Sequence, residues 1–180
     1  MKLTKKIAAA ALLLTLAAGA FPVLAETPYE TYTYSYEGDV QISPSAYTPD
    51  KKVSTFGEAG TLNAPADIIR DGCGNIVVAD KENNRIVILD PQTLHSVKIL
   101  DGFTGKNGQP DTFNKPQGVF SAPSGRLYVA DTDNGRLVVF DKDYAYVTTI
   151  DPPSADILPE NFKYNPKAVA VDKAGRIYVV

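Results

Sequence analysis

Two short phrases carry acid, amide and guanidinium groups at one spacing: "DKENNR" from Asp80 to Arg85 and "DTDNGR" from Asp131 to Arg136. Such groups could hold a ligand by charge and hydrogen bonds, or pair across a turn. The repetition favours the turn for the acids, because a catalytic residue is needed once and a turn residue in every copy. Asp80 and Asp131 are therefore assigned to turns, where aspartate accepts backbone N–H groups, and Arg85 and Arg136 could pair back to them. His95, the single histidine, has no neighbours suited to a zinc site or a histidine-based triad. Cys73 is the single cysteine, so no intrachain disulfide forms. Its turn, "RDGCGN", offers little of the electropositive setting a reactive thiol needs. "GFTGKNG" lacks the Ser or Thr and the glycine spacing of a phosphate loop. "DKDY" and "DTDNG" lack the later Glu of a calcium loop. No catalytic residue, metal ligand or cofactor is expected in this segment.

The elements that must position these groups come in copies. "LNAPADIIRDGCGNIVVADKENNRIVILD" starts at Leu62 and "FNKPQGVFSAPSGRLYVADTDNGRLVVFD" at Phe113; a third copy, "YNPKAVAVDKAGRIYVV", is shorter. Pro65, Pro116 and Pro166 mark a period of 51 and then 50 residues, and Gly74, Gly125 and Gly175 keep the register as turn residues. Each copy reads as four strands joined by turns: a ("ADII", "GVF", "AVAV"), b ("IVVA", "LYVA", "IYVV"), c ("RIVIL", "RLVVF") and d ("SVKIL", "YVTTI"). Strands b and c are nearly continuous apolar runs, which implies burial on both faces. A four-stranded antiparallel sheet covered on both faces by its own repeats is a propeller blade. The expected fold class is thus all-β.

The phrase "P-x-G-V … G-x-L-Y-V-A-D-T-x-N-x-R-L-V-V-F" resembles an NHL repeat, as found in six-bladed NHL-type β-propellers. The resemblance covers Leu62 to Val180 and is strongest in the second copy. The first copy has "AD" for the Gly-Val of strand a, and the third stops before its Asp. The resemblance implies a propeller and a binding scaffold, with no single activity attached. Six blades of about 50 residues need ~300 residues, so about two and a half blades are expected here, as an N-terminal fragment of a longer protein.

The chain opens with basic "MKLTKK", an uncharged Ala- and Leu-rich run from Ile7 to Ala20, and "FPVLA". This is the pattern of a secretory signal peptide cut after Ala25, with Val23 and Ala25 at the small-residue positions. The expected divisions are a signal peptide at 1–25, a Tyr- and Pro-rich strand and connector at 26–52, and blades at 53–180. Tyr32, Tyr34 and Tyr36 alternate with Thr and Ser, which is strand periodicity. That strand could complete the last blade of a closed ring, and "KKVSTFG" lies where a strand d would precede the first copy. Without Lys2, Lys5 and Lys6, 15 basic residues face 21 acidic ones. No basic run remains for phosphates, which disfavours nucleic acid.

In such a blade the b–c turns lie at the same end as the d–a connections. These connections, "DGFTGKNGQPDTFNKP" and "DPPSADILPENFKYNP", are longer than a hairpin needs, and long loops on a rigid scaffold often carry recognition. The candidate ligand-binding residues on that face are Asn84, Arg85, Lys106, Asn107, Asp111, Asp133, Asn134 and Arg136. The expected role is a secreted or surface-attached scaffold for a protein, peptide or glycan ligand outside the cytoplasm, with a membrane anchor a possibility further along the protein. The alternative is a metal-dependent propeller enzyme, lactonase- or lyase-like, whose active-site residues lie mostly in further blades.

Overall fold

The structure is a computed structural model that describes residues 31–43, 52–154, 158–159 and 161–180. The expected signal peptide at 1–25 and the stretch 44–51 of the connector lie outside the described residues. The chain divides into two units, Met1–Lys52 and Val53–Val180.

In the first unit, β1 (Thr31–Tyr34) pairs antiparallel with β2 (Val40–Ser43). Gly38, at φ +90, makes the reversal. The alternation of Tyr with Thr places Tyr32 and Tyr34 on one face, their rings edge to face at 5.8 Å, and both are exposed. The expected strand forms over Tyr32 and Tyr34 while Tyr36 falls in the turn, and its partner is the following strand of the same hairpin.

The second unit is built from the repeats. β3 (Asp67–Arg70), β4 (Ile76–Asp80), β5 (Arg85–Leu89) and β6 (Ser96–Leu100) form a four-stranded antiparallel sheet in sequence order. The long connection that follows is not a plain loop: β7 (Phe103–Thr104) pairs with β8 (Pro110–Asp111) as a small hairpin. β9 (Pro116–Ser121), β10 (Leu127–Asp131), β11 (Arg136–Phe140) and β12 (Tyr146–Ile150) repeat the first sheet, and β13 (Val169–Val171) pairs with β14 (Ile177–Val179). The expected strand at "KKVSTFG" does not form. Gly57–Ala59 is a 3-10 turn instead, and Phe56 spends its N–H on Gly60 O while its carbonyl takes Ser96 N–H.

Burial on both faces of strands b and c is what stacks the sheets. Val77, Ala79, Ile86 and Ile88 share one core with Val119, Leu127, Val129, Val138 and Phe140 of the next sheet. The intervening residues of the second sheet, Tyr128, Ala130, Leu137 and Val139, pack on Val169 and Val171 of the third. Each Val, Leu, Ile or Phe among them contributes about 1.5–3 kcal/mol when taken fully out of water. The reverse face of the first sheet, with Val78, Val87 and Leu89, is covered in part by Ala59, Phe56 and Leu62. The fold is all-β, a stack of propeller blades with the a strands β3, β9 and β13 side by side.

The a strands meet closely. A Cβ at Gly118 would lie 2.5 Å from Lys167 O and 2.9 Å from Ala168 Cα, so only glycine lets the next blade approach. The first copy has Asp67 at the matching place, and its Oδ2 accepts Val119 N–H at 2.9 Å. The "AD" departure thus exchanges a close approach for a hydrogen bond between blades. At the end away from the long connections, Gly74, Gly125 and Gly175 turn at φ +92, +82 and +82. Also there, the Tyr144 hydroxyl of the second blade donates to the Asp71 carboxylate of the first and accepts Asn75 Nδ2. Burial, then the Asp71 bond, pushes the Tyr144 phenol above its ordinary range.

Candidate functional site

The b–c turn is wired alike in both blades. Asp80 is fully buried; its Oδ1 accepts Asn63 N–H at 2.6 Å, and its Oδ2 accepts Asn83 Nδ2 at 2.8 Å and Arg85 Nε at 2.7 Å. Asp131, equally buried, accepts Asn114 N–H at 2.7 Å, Asn134 Nδ2 at 2.9 Å and Arg136 Nε at 2.8 Å. The backbone donor therefore comes from the chain entering strand a, not from the turn itself. A 3-10 turn leads out of each acid and ends left-handed, on Asn84 at φ 52 or Gly135 at φ 60; Asn and Gly are the residues that tolerate that geometry.

The two blades differ in what holds the far side of the arginine. Arg85 Nη2 donates to the backbone, to Ala59 O at 2.7 Å and Thr61 O at 3.2 Å. Arg136 donates to Thr112 O at 3.0 Å and, in a two-pronged pair, to Asp111 Oδ2 at 2.7 Å and Oδ1 at 2.8 Å. Asp111 stands where the first copy has Gly60. This carboxylate clasps the β7–β8 hairpin onto the second blade, and the guanidinium also lies over the Phe103 ring at 5.7 Å. Charge-assisted forks of this kind are the stronger hydrogen bonds.

The clasped hairpin walls an open cleft of about 370 Å³, lined by Lys106, Asn107, Gln109, Asp111, Thr149 and Asp151 among others. Four of the eight candidate residues converge here: Lys106 and Asn107 at the exposed hairpin tip, with Asp111 and Arg136 at its base. The other four do not. Asn84 is exposed, and its Oδ1 accepts Lys115 N–H at 2.8 Å, joining the blades. Arg85 is committed to Asp80 and two carbonyls. Asp133 is exposed and 3.8 Å from Lys115 Nζ, and Asn134 serves Asp131 and Thr112 O. Gln109, Thr149 and Asp151 were not singled out from sequence. Thr149 stands where the first copy has Ile99, and a hydroxyl replacing an aliphatic was the available signal. Among the described residues no group of three or more His, Cys, Asp or Glu is placed to hold a metal ion.

The Arg136 hydrogen bond holds the Asp111 carboxyl below its ordinary value of 3.8, and the same bond raises the guanidinium. A carboxyl lowered by folding contributes stability above its unfolded value, and that contribution is lost as pH falls through the folded value. The clasp is thus expected to be intact at pH 5 and above and to open only below about 3.8. NMR shifts of the amides from Gly105 to Gln109, followed on acidification, check this; a transition nearer neutrality would contradict it.

Residues 113–140 match the NHL repeat family. NHL repeat-containing protein 3 of Mus musculus is 38% identical over 100 residues, which are 53% of this chain and 27% of that protein. NHL repeat-containing protein 2 of Homo sapiens is 30% identical over 105 residues, 54% of this chain and 14% of that protein. The chain thus spans only about a quarter or less of the length of these relatives. Among solved structures, Kuenenia stuttgartiensis hydrazine synthase is similar with a TM-score of 0.49 and 15% identity, over 66% of this chain and 29% of that one. That likeness is too slight to bear on function.

Proposed function

We propose, from the NHL repeat matched at residues 113–140, that the chain acts outside the cytoplasm as a binding scaffold for a protein, peptide or glycan. The observation that carries the reading is the clasped hairpin: Asp111 and Arg136 hold Lys106 and Asn107 over a polar cleft at the end where the b–c turns and the long connections meet. Polar side chains gathered over a cleft on a clasped hairpin are what a recognition site requires. The export pattern of residues 1–25 supports the location.

The test is retention of ligands on the immobilised full chain, from a panel of neutral and charged glycans, extended peptides and soluble proteins. One class is expected to be retained, and the double variant Lys106→Ala with Asn107→Ala is expected to release it without changing Tm, because both side chains are exposed. Retention of nothing by the unaltered chain, or equal retention by the variant, would overturn the reading.

A further inference from the structure

We propose that the cleft beside the β7–β8 hairpin takes a neutral saccharide, an assignment that rests on the scaffold reading above. Two basic groups, Lys106 and Arg136, face two acids, Asp111 and Asp151. Arg136 and Asp111 are joined through both prongs, which leaves one free charge of each sign at the rim. Neither a phosphate nor a simple cation meets a one-signed field, and complementarity of charge is what selects charged partners.

The remaining lining is two amides, an ammonium, a hydroxyl and a carboxylate. It mixes donors and acceptors, and a sugar hydroxyl is both at once. Pro110 is the sole apolar side chain lining the cleft, whereas a peptide partner is ordinarily anchored by aromatic or aliphatic side chains in apolar pockets.

A second cleft of about 440 Å³ adjoins the first along β7: Phe103 and Thr104 line one, and Gly105 the other. Its wall is aromatic, with Phe103 and Tyr146 stacked at 5.3 Å and 11° and Tyr144 beside them. Tyr146 OH bonds Thr149 Oγ1 at 3.0 Å, which ties the aromatic wall to the polar cleft. Sugars present an apolar C–H face and a hydroxyl edge. The aromatic wall supplies an apolar edge beside the charge-balanced polar cleft; the Phe103 faces are taken by Tyr146 and the Arg136 guanidinium, and Lys98 Nζ lies over Tyr144. The volume of about 370 Å³ falls at the small end of ligand sites, which run about 300–1,000 Å³.

The experiment is NMR titration of the full chain with maltotetraose and chitotetraose as neutral probes, and with tetraalanine and inorganic phosphate as comparators. At least one sugar is expected to shift the amides of Lys106, Asn107, Gln109 and Asp151 saturably. Asp151→Ala should weaken it about tenfold, the loss of one charge-assisted hydrogen bond, with Tm unchanged. Sugar shifts that persist at full strength in Asp151→Ala, or no sugar shift up to the solubility limit, would overturn the saccharide assignment. Saturation of the same amides by tetraalanine or phosphate alone would also overturn it, and would leave the scaffold reading standing with a different ligand. The scaffold reading itself falls only with the retention panel.

Discussion

Asp80→Ala is expected to cost about 4–5 kcal/mol of unfolding free energy, near the top of the range for breaking a buried ion pair. The carboxylate has no exposure and serves three donors at 2.6–2.8 Å. Its loss strips Asn63 N–H of its acceptor and leaves Arg85 with carbonyl partners only. Asp131→Ala, cut from the same wiring, should cost less, about 3 kcal/mol, because Asp111 still neutralises Arg136. Asp143→Ala is the comparison. That acid pairs with Lys142 at 2.7 Å, but both side chains are over two-thirds exposed, and such pairs contribute about 0–1 kcal/mol. Urea unfolding followed by far-UV circular dichroism measures all three. An Asp80→Ala cost as small as that of Asp143→Ala would mean that the buried turn does not hold the blade.

Gly118→Ala should cost about 1–3 kcal/mol, the range for inserting atoms into a packed interior. The new methyl meets backbone, Lys167 O at 2.5 Å and Ala168 Cα at 2.9 Å, and backbone cannot swing aside as a side-chain tip can. The strain should therefore fall on the third pair of strands. Hydrogen exchange is expected to quicken at Val169, Val171 and Val180, whose amides sit in or beside β13 and β14, and to stay unchanged in β4 and β5. Gly72→Ala has nothing within 4 Å of its new Cβ and should be silent in both measurements. Equal behaviour of the two variants would remove close approach as the reason for glycine in strand a.

The eight strands of the two full blades were legible because their signals are local. Continuous apolar runs such as "IVVA" and "RLVVF", set between turn residues, encode burial on both faces. The acids of the b–c turns were legible as structural because they recur. Their backbone donors were not, since Asn63 and Asn114 contribute main-chain N–H groups from 17 residues upstream, and a main-chain group leaves no mark in side-chain lettering. The β7–β8 hairpin was hidden for another reason. Its strands are two residues each and one begins on Pro110, so propensity argues against it. It forms because Phe103 packs on Phe113, Phe140 and Tyr146 and Asp111 clasps Arg136. The candidate site split along the same line. Lys106, Asn107 and Asp111 were found because the loop was long, and Arg136 because its turn shares that face, whereas Thr149 and Asp151 sit at the end of an ordinary outer strand and only tertiary packing brings them to the cleft.

The position of those upstream donors also limits how such a chain can grow by copying. A segment duplicated from Asn63 to Leu100 carries a complete set of partners for its buried acid. One duplicated from Asp67 onward would begin at the strand boundary, yet leave Asp80 Oδ1 without its backbone donor. The structural module is therefore offset from the visible sheet: it starts in the connection before the first strand.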